Sequence, residues 1–394
     1  MKKLLIIGAG FLQDFVICKA KSMGYEILAV DANPNAVGFA HADKYKAINI
    51  VDERSCLEYA KDEKIDGVLT AATEYGVLTA SYIAREMSLP GLDYDVAKLI
   101  KNKYRVRKCL YENQVDDMSP VYEVTADTDI TGLARTIVFP VMVKPLDGSG
   151  SRGVSRVDEN GGFENACRVA MAVSATHRAT VEPFIIGREY GSESIVVDGT
   201  VHVLGIMRKW MTMPPYYAEL GHGLPSDLSP EIEDRARRCV ERAIKALGIN
   251  FGSVNMDMII TGDGRVHIVD VGARMGGNLI GSHIIPMGTG VEYVENMVRA
   301  HLGEATDFTP KSTPCAVATR ILALTPGMVE QLPSMQSRAG TLIEHHLKPG
   351  DAICEYHTNL EGCGYVVCTG DTLEQAGQKA ELEKQRIDRE IKRK

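Results

Sequence analysis

Short apolar runs alternate with amphipathic stretches over the first ninety residues. The runs are LLIIGAG at 4–10, YEILAVD at 25–31 and IDGVLTAA at 65–72, with helical periodicity between them. Strands that alternate with helices predict parallel βαβ units and a doubly wound sheet. The amino-terminal apolar run is short and is broken by Gly8 and Gly10, so it predicts a first buried strand and not a secretory signal.

The hydrophobic pattern changes after residue 92. Periodicity near 3.6 predicts helix over 92–126, and a strand ending in VMVKPL and a glycine-rich turn follow. Helices are predicted from Phe163 to about Thr176 and from Pro230 to Leu247. Two strands, VNMDMII and RVHIVDVG, are joined by the tight turn TGDG. The last ninety residues predict short strands and a charged helix that begins near Leu373.

Composition narrows the class of protein. The chain has 394 residues, of which 45% are hydrophobic and 24% charged, and no apolar segment is long enough to span a membrane. Two to three soluble domains are therefore expected. The nine cysteines are scattered without a CxxC pair, which favours reduced thiols in the cytoplasm. A net charge of -8 argues against a nucleic-acid partner.

The turn after the first strand permits a dinucleotide-binding hypothesis. Gly8 and Gly10 are followed by Gln13 where the fingerprint requires glycine, and Asp31 closes the second strand. A Gly-x-Gly pair is a weak signal because many tight strand-to-helix turns use glycine. An NAD-dependent oxidoreductase stays an alternative.

A lysine and a glycine-rich loop form the most informative stretch, VMVKPLDGSGSRGV at 141–154. A buried strand delivers Lys144 just before backbone that can close on a polyphosphate and donate several N–H groups. The alternative is a flexible hairpin tip with a solvated lysine. The loop residues are Gly148, Ser149, Gly150, Ser151, Arg152 and Gly153.

About forty residues later, VEPFIIGREY places acidic residues around an apolar stretch. The backbone of Glu182 and Ile185 can meet an adenine edge, and the carboxylate of Glu189 can bind ribose hydroxyls. A single acid at a strand end is more often a surface residue, so this signal depends on its order after the lysine loop.

Two aspartates occupy the strands joined by TGDG. If those strands pair, Asp257 and Asp270 can face the same side of the sheet, and carboxylate oxygens are ligands that Mg²⁺ prefers. Arg274 follows four residues later and can stabilise a transferred phosphoryl group. The alternative, an Asp–Arg surface pair, fits less well because the apolar neighbours of Asp270 predict a buried strand.

In order and spacing these residues resemble the ATP-grasp superfamily, with Lys103 as a further match. The amino-terminal part is similar to its Rossmann-like pre-ATP-grasp domain. The last ninety residues, with TPG at 325–327 and LKPGD at 347–351, resemble the lobe of L-amino acid ligases and carbamoyl-phosphate-synthase-like proteins. The resemblance covers essentially the whole chain.

The resemblance implies an α/β and α+β fold in three parts. These are a Rossmann-like pre-ATP-grasp domain at 1–95, a two-lobed ATP-grasp domain at 96–305 with its small lobe at about 120–180, and a small C-terminal lobe at 306–394 that completes the catalytic domain. A homodimer is possible, although no segment identifies an interface.

The resemblance also implies roles for single residues. Lys103 and Lys144 would contact ATP phosphates, with the loop from Gly148 to Gly153 closing over them. Glu182 and Ile185 would meet adenine, and Glu189 ribose.

Asp257 and Asp270 would hold Mg²⁺, for which Mn²⁺ can substitute. The family usually has Glu-x-Asn-x-Arg on the last metal strand, whereas this chain has Gly272 in place of the asparagine. The number of metal ions is therefore an open question.

The implied activity is that of a Mg²⁺- and ATP-dependent carboxylate–amine ligase, which forms amino acid or peptide-type amides through an acyl phosphate. Lys144 and Arg274 are the predicted catalytic residues. Predicted substrate contacts are Glu74 in the loop TEYG, Arg274, and His222 in the polar stretch 208–222, although an exposed loop histidine without a special role is the competing interpretation.

Three alternatives stay open. One is an ATP-grasp carboxylase or a purine-pathway-type ligase acting on bicarbonate or a nucleotide-linked acid. The second is the oxidoreductase, and the third a non-catalytic nucleotide-binding regulator, which the intact phosphate and metal residues disfavour.

Overall fold

The structure is a computed structural model that describes residues 1–116, 121–147, 152–214 and 216–394. Gly148, Ser149, Gly150 and Ser151, predicted to contact phosphate, lie outside the described residues. No helix within these ranges is long and apolar enough to cross a membrane. All nine cysteines are free thiols.

The amino-terminal part is the predicted parallel sheet with helices on it. Its strand order is β3-β2-β1-β4. The elements are β1 (Lys3–Ile7), α1 (Phe11–Ser22), β2 (Glu26–Asp31), β3 (Lys44–Ala47), α2 (Glu53–Glu63), β4 (Gly67–Thr70) and α3 (Val77–Met87).

Strand β1 joins two hydrophobic cores because successive side chains of a strand point to opposite faces. Leu5 and Ile7 pack in a core within the amino-terminal part. Leu4 and Ile6 pack in a second core that includes Ile195 of the large sheet. The amino-terminal part is thus in direct apolar contact with the rest of the molecule.

A small antiparallel sheet of order β5-β8-β6-β7 follows two connecting helices. The segment 92–126 was predicted as helix throughout, and that prediction is wrong at its end, because Tyr122–Val124 pairs as a strand with Ala179–Val181. The elements are α4 (Tyr94–Ile100), α5 (Lys103–Glu112), β5 (Tyr122–Val124), α6 (Ile130–Ala134), β6 (Val141–Pro145), β7 (Ser155–Val157), α7 (Phe163–Val173) and β8 (Ala179–Pro183).

An eight-stranded antiparallel sheet forms the centre of the molecule. Its strands lie in the order Val266–Gly272, Gly252–Ile260, Arg188–Val197, Thr200–Met211, Glu219–Leu224, Ala316–Ile321, Gly364–Gly370 and Thr341–His345. Helix α8 covers one face of it through Ala236, Val240 and Ala243. The elements of this part of the chain are β9 (Arg188–Val197), β10 (Thr200–Met211), β11 (Glu219–Leu224), α8 (Pro230–Ala246), β12 (Gly252–Ile260), β13 (Val266–Gly272), α9 (Ile285–Thr289) and α10 (Tyr293–His301).

The last part of the chain completes the large sheet with β14, β16 and β18 and adds a small three-stranded sheet. The helix predicted near Leu373 begins there. The elements are β14 (Ala316–Ile321), β15 (Gly327–Gln331), β16 (Thr341–His345), β17 (Ala352–Ile353), β18 (Gly364–Gly370), α11 (Leu373–Glu390) and β19 (Lys392–Arg393).

The outer edge of β13 is covered by a buried ion pair. Arg107 on α5 and Asp116 are joined by two hydrogen bonds of 3.0 Å. Arg107 also donates to the carbonyl oxygen of Ile268 at 2.6 Å, and the amide of Ile268 donates to Asp116 at 2.9 Å. At Ile268 the pair therefore supplies the hydrogen bonds that a further strand would make, and it fixes α5 beside β13.

Candidate active site

The face of the large sheet opposite α8 carries charged side chains. Tyr190 and Met256 pack in the core under α8. Because strand side chains alternate, Glu189, Glu193 and Asp257 lie on the other face. Such a face can bind a polar ligand between this sheet, the small antiparallel sheet and the amino-terminal part.

The two predicted metal ligands are neighbours across the β12–β13 hairpin. Asp257 and Asp270 are direct partners in the antiparallel register, as are Asn255 and Gly272. The prediction that the two strands pair across TGDG is confirmed. Direct partners share a face, so both carboxylates lie on the charged side of the sheet.

Four residues form what we call the Asp270 cluster: Lys103, Lys144, Glu182 and Asp270. Lys103, the first residue of α5, is hydrogen-bonded to the Asp270 carboxylate. Lys144 Nζ donates to Glu182 Oε2 at 2.7 Å and to the carbonyl oxygen of Val269 at 3.4 Å. The Asp270 side chain is 48% exposed, so this cluster is open to solvent on one side.

Electrostatics keep Asp270 ionised. Burial raises the pKa of this carboxyl, but the positive charges of Lys103, Lys144 and Arg274 outweigh that effect and lower the pKa below its usual value. Within the described residues, Glu182 Oε1 is buried and has no hydrogen-bond partner. The cluster therefore offers charged groups for new contacts.

A second group, the Lys209 cluster, consists of Lys209, Glu189, Glu219 and Asp257. Lys209 Nζ lies 2.7 Å from Glu219 Oε1, 2.8 Å from Asp257 Oδ1 and 3.7 Å from Glu189 Oε2. The Lys209 side chain is 1% exposed. One buried ammonium group is thus the shared cation of three carboxylates.

The charges of this cluster are strongly coupled. Burial lowers the pKa of Lys209, but Asp257, Glu219 and Glu189 together raise it well above its usual value. Burial raises the pKa of Glu219, but Lys209 dominates and lowers it to about 2. The pKa of Glu189 is raised, chiefly by burial. Lys209 therefore stays protonated throughout the physiological range.

Residues beyond the hairpin hold Glu219 in place. Asn359 Nδ2 donates to Glu219 Oε2 at 2.9 Å, and its Oδ1 accepts from the Glu219 amide at 3.0 Å. Asn278 donates to the same carboxylate oxygen, and Tyr365 donates to Asn278 Oδ1 at 3.1 Å. Glu219 is thus positioned by the carboxyl-terminal part of the chain.

His222 lies on β11 with a 2% exposed side chain, in contrast to the exposed loop position considered from sequence. Its Nε2 is 3.9 Å from Glu219 Oε1, and within the described residues its Nδ1 has no partner. Burial lowers the pKa of His222 to about 4. The imidazole is therefore neutral at pH 7 and has a free hydrogen-bonding nitrogen.

Glu74 reaches the sheet from the loop after β4. Its Oε1 lies 2.8 Å from Arg274 Nη2. The Asp–Arg surface pair considered from sequence does not form, because Arg274 pairs with Glu74 and Asp270 with Lys103. The structure thus brings the predicted substrate residue Glu74 to the predicted catalytic arginine.

Glu193 is a buried acid that sequence reasoning missed. It accepts from Tyr293 Oη at 2.6 Å, from the Gly276 amide at 3.1 Å and from Asn255 Nδ2 at 3.0 Å. Burial raises the pKa of Glu193 to about 7, although these hydrogen bonds oppose the rise. It holds the backbone just after Arg274.

Three further predicted ATP residues border the cleft. Gly153, at the end of the glycine-rich segment, has φ +69°, a conformation that suits glycine. Ile185 is half-buried just after β8, and Glu189 is the second residue of β9. Arg152 donates to Tyr75 Oη at 2.8 Å, which connects the described end of the loop to the Glu74 loop.

The side chain of Gln13 occupies the space beside the glycine turn that follows β1. Gln13 Nε2 donates to the Ala71 carbonyl oxygen at 2.6 Å, and Gln13 Oε1 lies 2.9 Å from where a Cβ on Gly10 would stand. Asp31 accepts from the amides of Ala9 and Asn33 at 2.9 and 2.8 Å. These contacts leave no support for the dinucleotide hypothesis.

Lys209 and Glu219 lie in the polar stretch 208–222 but were not predicted individually. The available signal was a lysine on a strand whose neighbours at alternate positions are apolar, which predicts a buried cation with acidic partners. Their partners come from distant segments, so the assembled cluster is visible only in the fold.

The residues present fit a magnesium ion. Asp257 and Asp270 place two carboxylates side by side, and carboxylates are ligands that Mg²⁺ prefers. Asp257 contacts the ammonium group of Lys209, and Asp270 contacts that of Lys103. A positive charge is therefore favourable beside both carboxylates.

Comparisons with known proteins agree with this geometry. Residues 137–282 match the protein family described as the ATP-grasp domain. The protein contains an ATP-grasp domain. The predicted superfamily, fold and enzyme class, an ATP-grasp ligase, are confirmed at this level, whereas the acid and the amine are not identified by the comparisons.

Relatives of this ATP-grasp protein cover most of its length. An uncharacterized protein, y4rH, of Sinorhizobium fredii is 25% identical over 372 residues, which are 92% of this chain and 74% of the relative. The formate-dependent phosphoribosylglycinamide formyltransferase of Burkholderia pseudomallei is 27% identical over 284 residues, which are 66% of each chain.

A solved structure shows the same fold. The L-amino acid ligase of Bacillus licheniformis superimposes with a TM-score of 0.83 at 21% identity, over 100% of this chain and 99% of the ligase. At this identity the likeness concerns the fold and not the substrate.

Proposed function

We propose that this ATP-grasp protein is an ATP- and Mg²⁺-dependent carboxylate–amine ligase that forms an amino acid or peptide-type amide through an acyl phosphate. The observation that carries the proposal is the alternation of paired lysines and carboxylates on one sheet face, with Arg274 beside them. Such a face can accept a polyphosphate and a divalent cation together.

The nucleotide is proposed to lie between the small lobe and the large sheet. Lys103 and Lys144 would leave Asp270 and Glu182 to contact ATP phosphates. The backbone at Glu182 and Ile185 would meet adenine. Glu189, at the near end of β9, would bind ribose.

Asp257 and Asp270 would hold magnesium. When bound, the metal neutralises developing negative charge on the phosphates. Two aspartates on adjacent strands are rigidly placed for this role. Lys209 would hold Asp257 in position.

The reaction would proceed in two transfers. A substrate carboxylate oxygen attacks the γ-phosphorus, the bond to the β-γ bridging oxygen breaks, and ADP leaves. The amine then attacks the acyl carbon, phosphate leaves with the C–O electron pair, and the amine loses a proton. Lys144 and Arg274 would stabilise the phosphoryl group in the first step.

Substrate contacts are proposed at Arg274 and His222. Arg274 lies two residues beyond the end of β13, where a substrate carboxylate can pair with it. His222 is neutral and buried, and within the described residues its Nδ1 has no partner, so the ring would offer one hydrogen bond to an acid or amine that reaches this face of β11. Glu74, also predicted from sequence, reaches this region through Arg274.

The test is phosphate release from ATP and Mg²⁺ with amino acids supplied singly and in pairs, and mass spectrometry of the products. A product mass equal to two substrates minus water supports the proposal. Failure to bind ATP contradicts it.

Two variants test the assignment of the centre. Lys144→Ala and Asp270→Asn are expected to abolish turnover and to keep a cooperative unfolding transition. Lys108→Ala, at an exposed position of α5, and Asp263→Asn, in the exposed hairpin turn, are matched controls that should keep normal activity. Normal phosphate release from a folded Lys144→Ala or Asp270→Asn variant would show that the centre lies elsewhere.

A ligase for formate, bicarbonate or a nucleotide-linked acid is the second candidate. The similarity to the formate-dependent phosphoribosylglycinamide formyltransferase favours it. The protein would then bind ATP but release no phosphate with any amino acid. Phosphate release on addition of formate, bicarbonate or a nucleotide-linked acid would support this candidate over the first.

A further inference from the structure

Three side chains that can bind a metal ion meet on the outer face of helix α1. Asp14 and Cys18 are four residues apart on α1, so they lie on one face of the helix. His41 follows the 3₁₀ turn Val37–Ala40 and contacts Asp14 from there. A carboxylate oxygen, a thiol sulfur and a ring nitrogen thus come together outside the candidate active site.

The three donor atoms are close enough to share one ion. His41 Nδ1 lies 2.7 Å from Asp14 Oδ1, and Cys18 Sγ lies 3.9 Å from the same oxygen. The donor atoms of the group all lie within 4.8 Å of one another. Donors around a tetrahedral zinc ion are roughly 3.3–3.6 Å apart, because the bonds to zinc measure about 2.0–2.3 Å. The observed separations bracket these values, so small side-chain rotations would place all three donors around one ion.

Backbone contacts hold His41 beside the helix. The Gly38 amide donates to the Ala9 carbonyl oxygen at 2.8 Å, and a Cβ on Gly38 would lie 2.6 Å from Ile17 Cδ1. Glycine at this position therefore permits the turn to approach α1 closely. Lys21 Nζ, on the same helix, donates to the His41 carbonyl oxygen at 2.9 Å. The histidine is thus positioned by its backbone and not by its side chain alone.

The chemistry of the donors favours zinc over magnesium. Thiolate and imidazole ligands suit Zn²⁺, whereas Mg²⁺ prefers oxygen. Cys18 and His41 are exposed, so an ion can reach them from solvent. Partial burial of the sulfur and the charge of Asp14 raise the pKa of the Cys18 thiol. A metal-bound thiol is deprotonated, so zinc binding would release this proton.

We propose that Asp14, Cys18 and His41 bind a zinc ion. Three protein ligands leave a fourth position for water. The ion would connect α1 to the segment that follows β2. Zinc binding at this place does not depend on the proposed ligase activity, because none of the three residues belongs to the candidate active site.

The absorption spectrum of Co²⁺ bound to the full chain tests the thiolate ligand. Co²⁺ in a zinc site gives a near-ultraviolet charge-transfer band when a thiolate is bound, and Co²⁺ at the oxygen ligands proposed for Mg²⁺ gives none. The unaltered chain should show the band, and added Zn²⁺ should remove it. Cys18→Ser should abolish the band, whereas Cys354→Ser, at a second exposed cysteine, should keep it.

The other two ligands are tested through zinc affinity, measured by competition with a chelating dye. His41→Gln and Asp14→Asn should weaken Zn²⁺ binding by more than the about ten- to a hundredfold that loss of an outer-shell partner costs. The affinity of the unaltered chain should rise with pH, because binding releases the proton of Cys18. His177→Gln, at an exposed position of the small sheet's lobe, is the matched control and should bind Zn²⁺ normally.

Thiol labelling gives a second readout. Iodoacetamide should alkylate both Cys18 and Cys354, since both are exposed. Zn²⁺ should slow the labelling of Cys18 and leave that of Cys354 unchanged, as measured by mass spectrometry of the peptides.

Three results would overturn the proposal. They are equal labelling of Cys18 with and without Zn²⁺, a cobalt band that persists in Cys18→Ser, and a Zn²⁺ affinity that His41→Gln leaves unchanged. Phosphate release from ATP is a separate readout, so failure of the zinc site and failure of the proposed function are distinguishable.

Discussion

The Lys209 cluster and the Asp270 cluster contain the same kinds of groups but are built differently. The Lys209 cluster lies on β9, β10, β11 and β12 of one sheet, and its ammonium group is 1% exposed. The Asp270 cluster joins α5, two strands of the small lobe and the edge strand β13, and its aspartate is 48% exposed. One is internal to a sheet, whereas the other bridges separate parts of the fold.

This difference predicts a structural role for the Lys209 cluster and a ligand-binding role for the Asp270 cluster. Buried charges on one sheet keep their geometry, because the loss of any one partner leaves an uncompensated charge in the interior. Exposed pairs contribute little to stability, so they can be exchanged for ligand contacts at small cost. We therefore expect the Lys209 cluster to be present before nucleotide binds and the Asp270 cluster to be rearranged by it.

Lys209→Met gives the largest expected effect on stability. Removing the ammonium group leaves three buried or half-buried carboxylates without their shared cation, which should lower the free energy of unfolding by about 3–5 kcal/mol. Urea unfolding followed by fluorescence of Trp210, the single tryptophan, measures it. A loss below about 1 kcal/mol would show that the cluster is no more structural than a surface pair.

His222→Asn tests the same cluster through pH. The pKa of His222 is lowered to about 4, so the unfolded chain takes up a proton near pH 6.5 that the folded chain does not accept until much lower pH. His222 therefore costs the native protein stability as pH falls from about 6.5 towards 4.

The variant should lose less stability than the unaltered chain on acidification, by about 2 kcal/mol between pH 7 and pH 4.5. Urea unfolding at the two pH values gives the comparison. Parallel acid dependence of the two proteins would mean that His222 is hydrated or protonated in the native state.

Lys103→Met should have the smallest effect on folding. Since Asp270 is half-exposed, the loss should be below about 1 kcal/mol. ATP affinity should nevertheless fall by about ten- to a hundredfold, because a charged phosphate contact is removed. Calorimetric titration with ATP and urea unfolding measure the two quantities. A stability loss like that of Lys209→Met would remove the distinction between the clusters.

Local patterns were sufficient to predict much of the fold. The alternation of apolar runs and helices over 1–95 gives the parallel sheet, and TGDG between two apolar strands gives the hairpin that sets Asp257 opposite Asp270. Lys144 was recognisable because it precedes a glycine-rich segment on a strand. These signals are all contained within a few residues of sequence.

Contacts between distant segments could not be predicted in this way. Asn359 bonds Glu219 from 140 residues away, and Glu74 reaches over Gly272 from another part of the fold. His222 looked like a loop residue because glycines flank it, yet those glycines belong to a strand that packs closely against β14. The strand Tyr122–Val124 was missed because its pairing partner, β8, lies far along the chain.

The cover that Arg107 and Asp116 provide for β13 has a consequence beyond catalysis. The exposed edge of a sheet is a template on which another chain can add a strand and begin to aggregate. Here the amide and carbonyl groups of Ile268 are already bonded to side chains. At this position the rim of the sheet is therefore closed to a neighbouring polypeptide by side chains of the same molecule, while the hairpin that carries Asp257 and Asp270 stays at the edge.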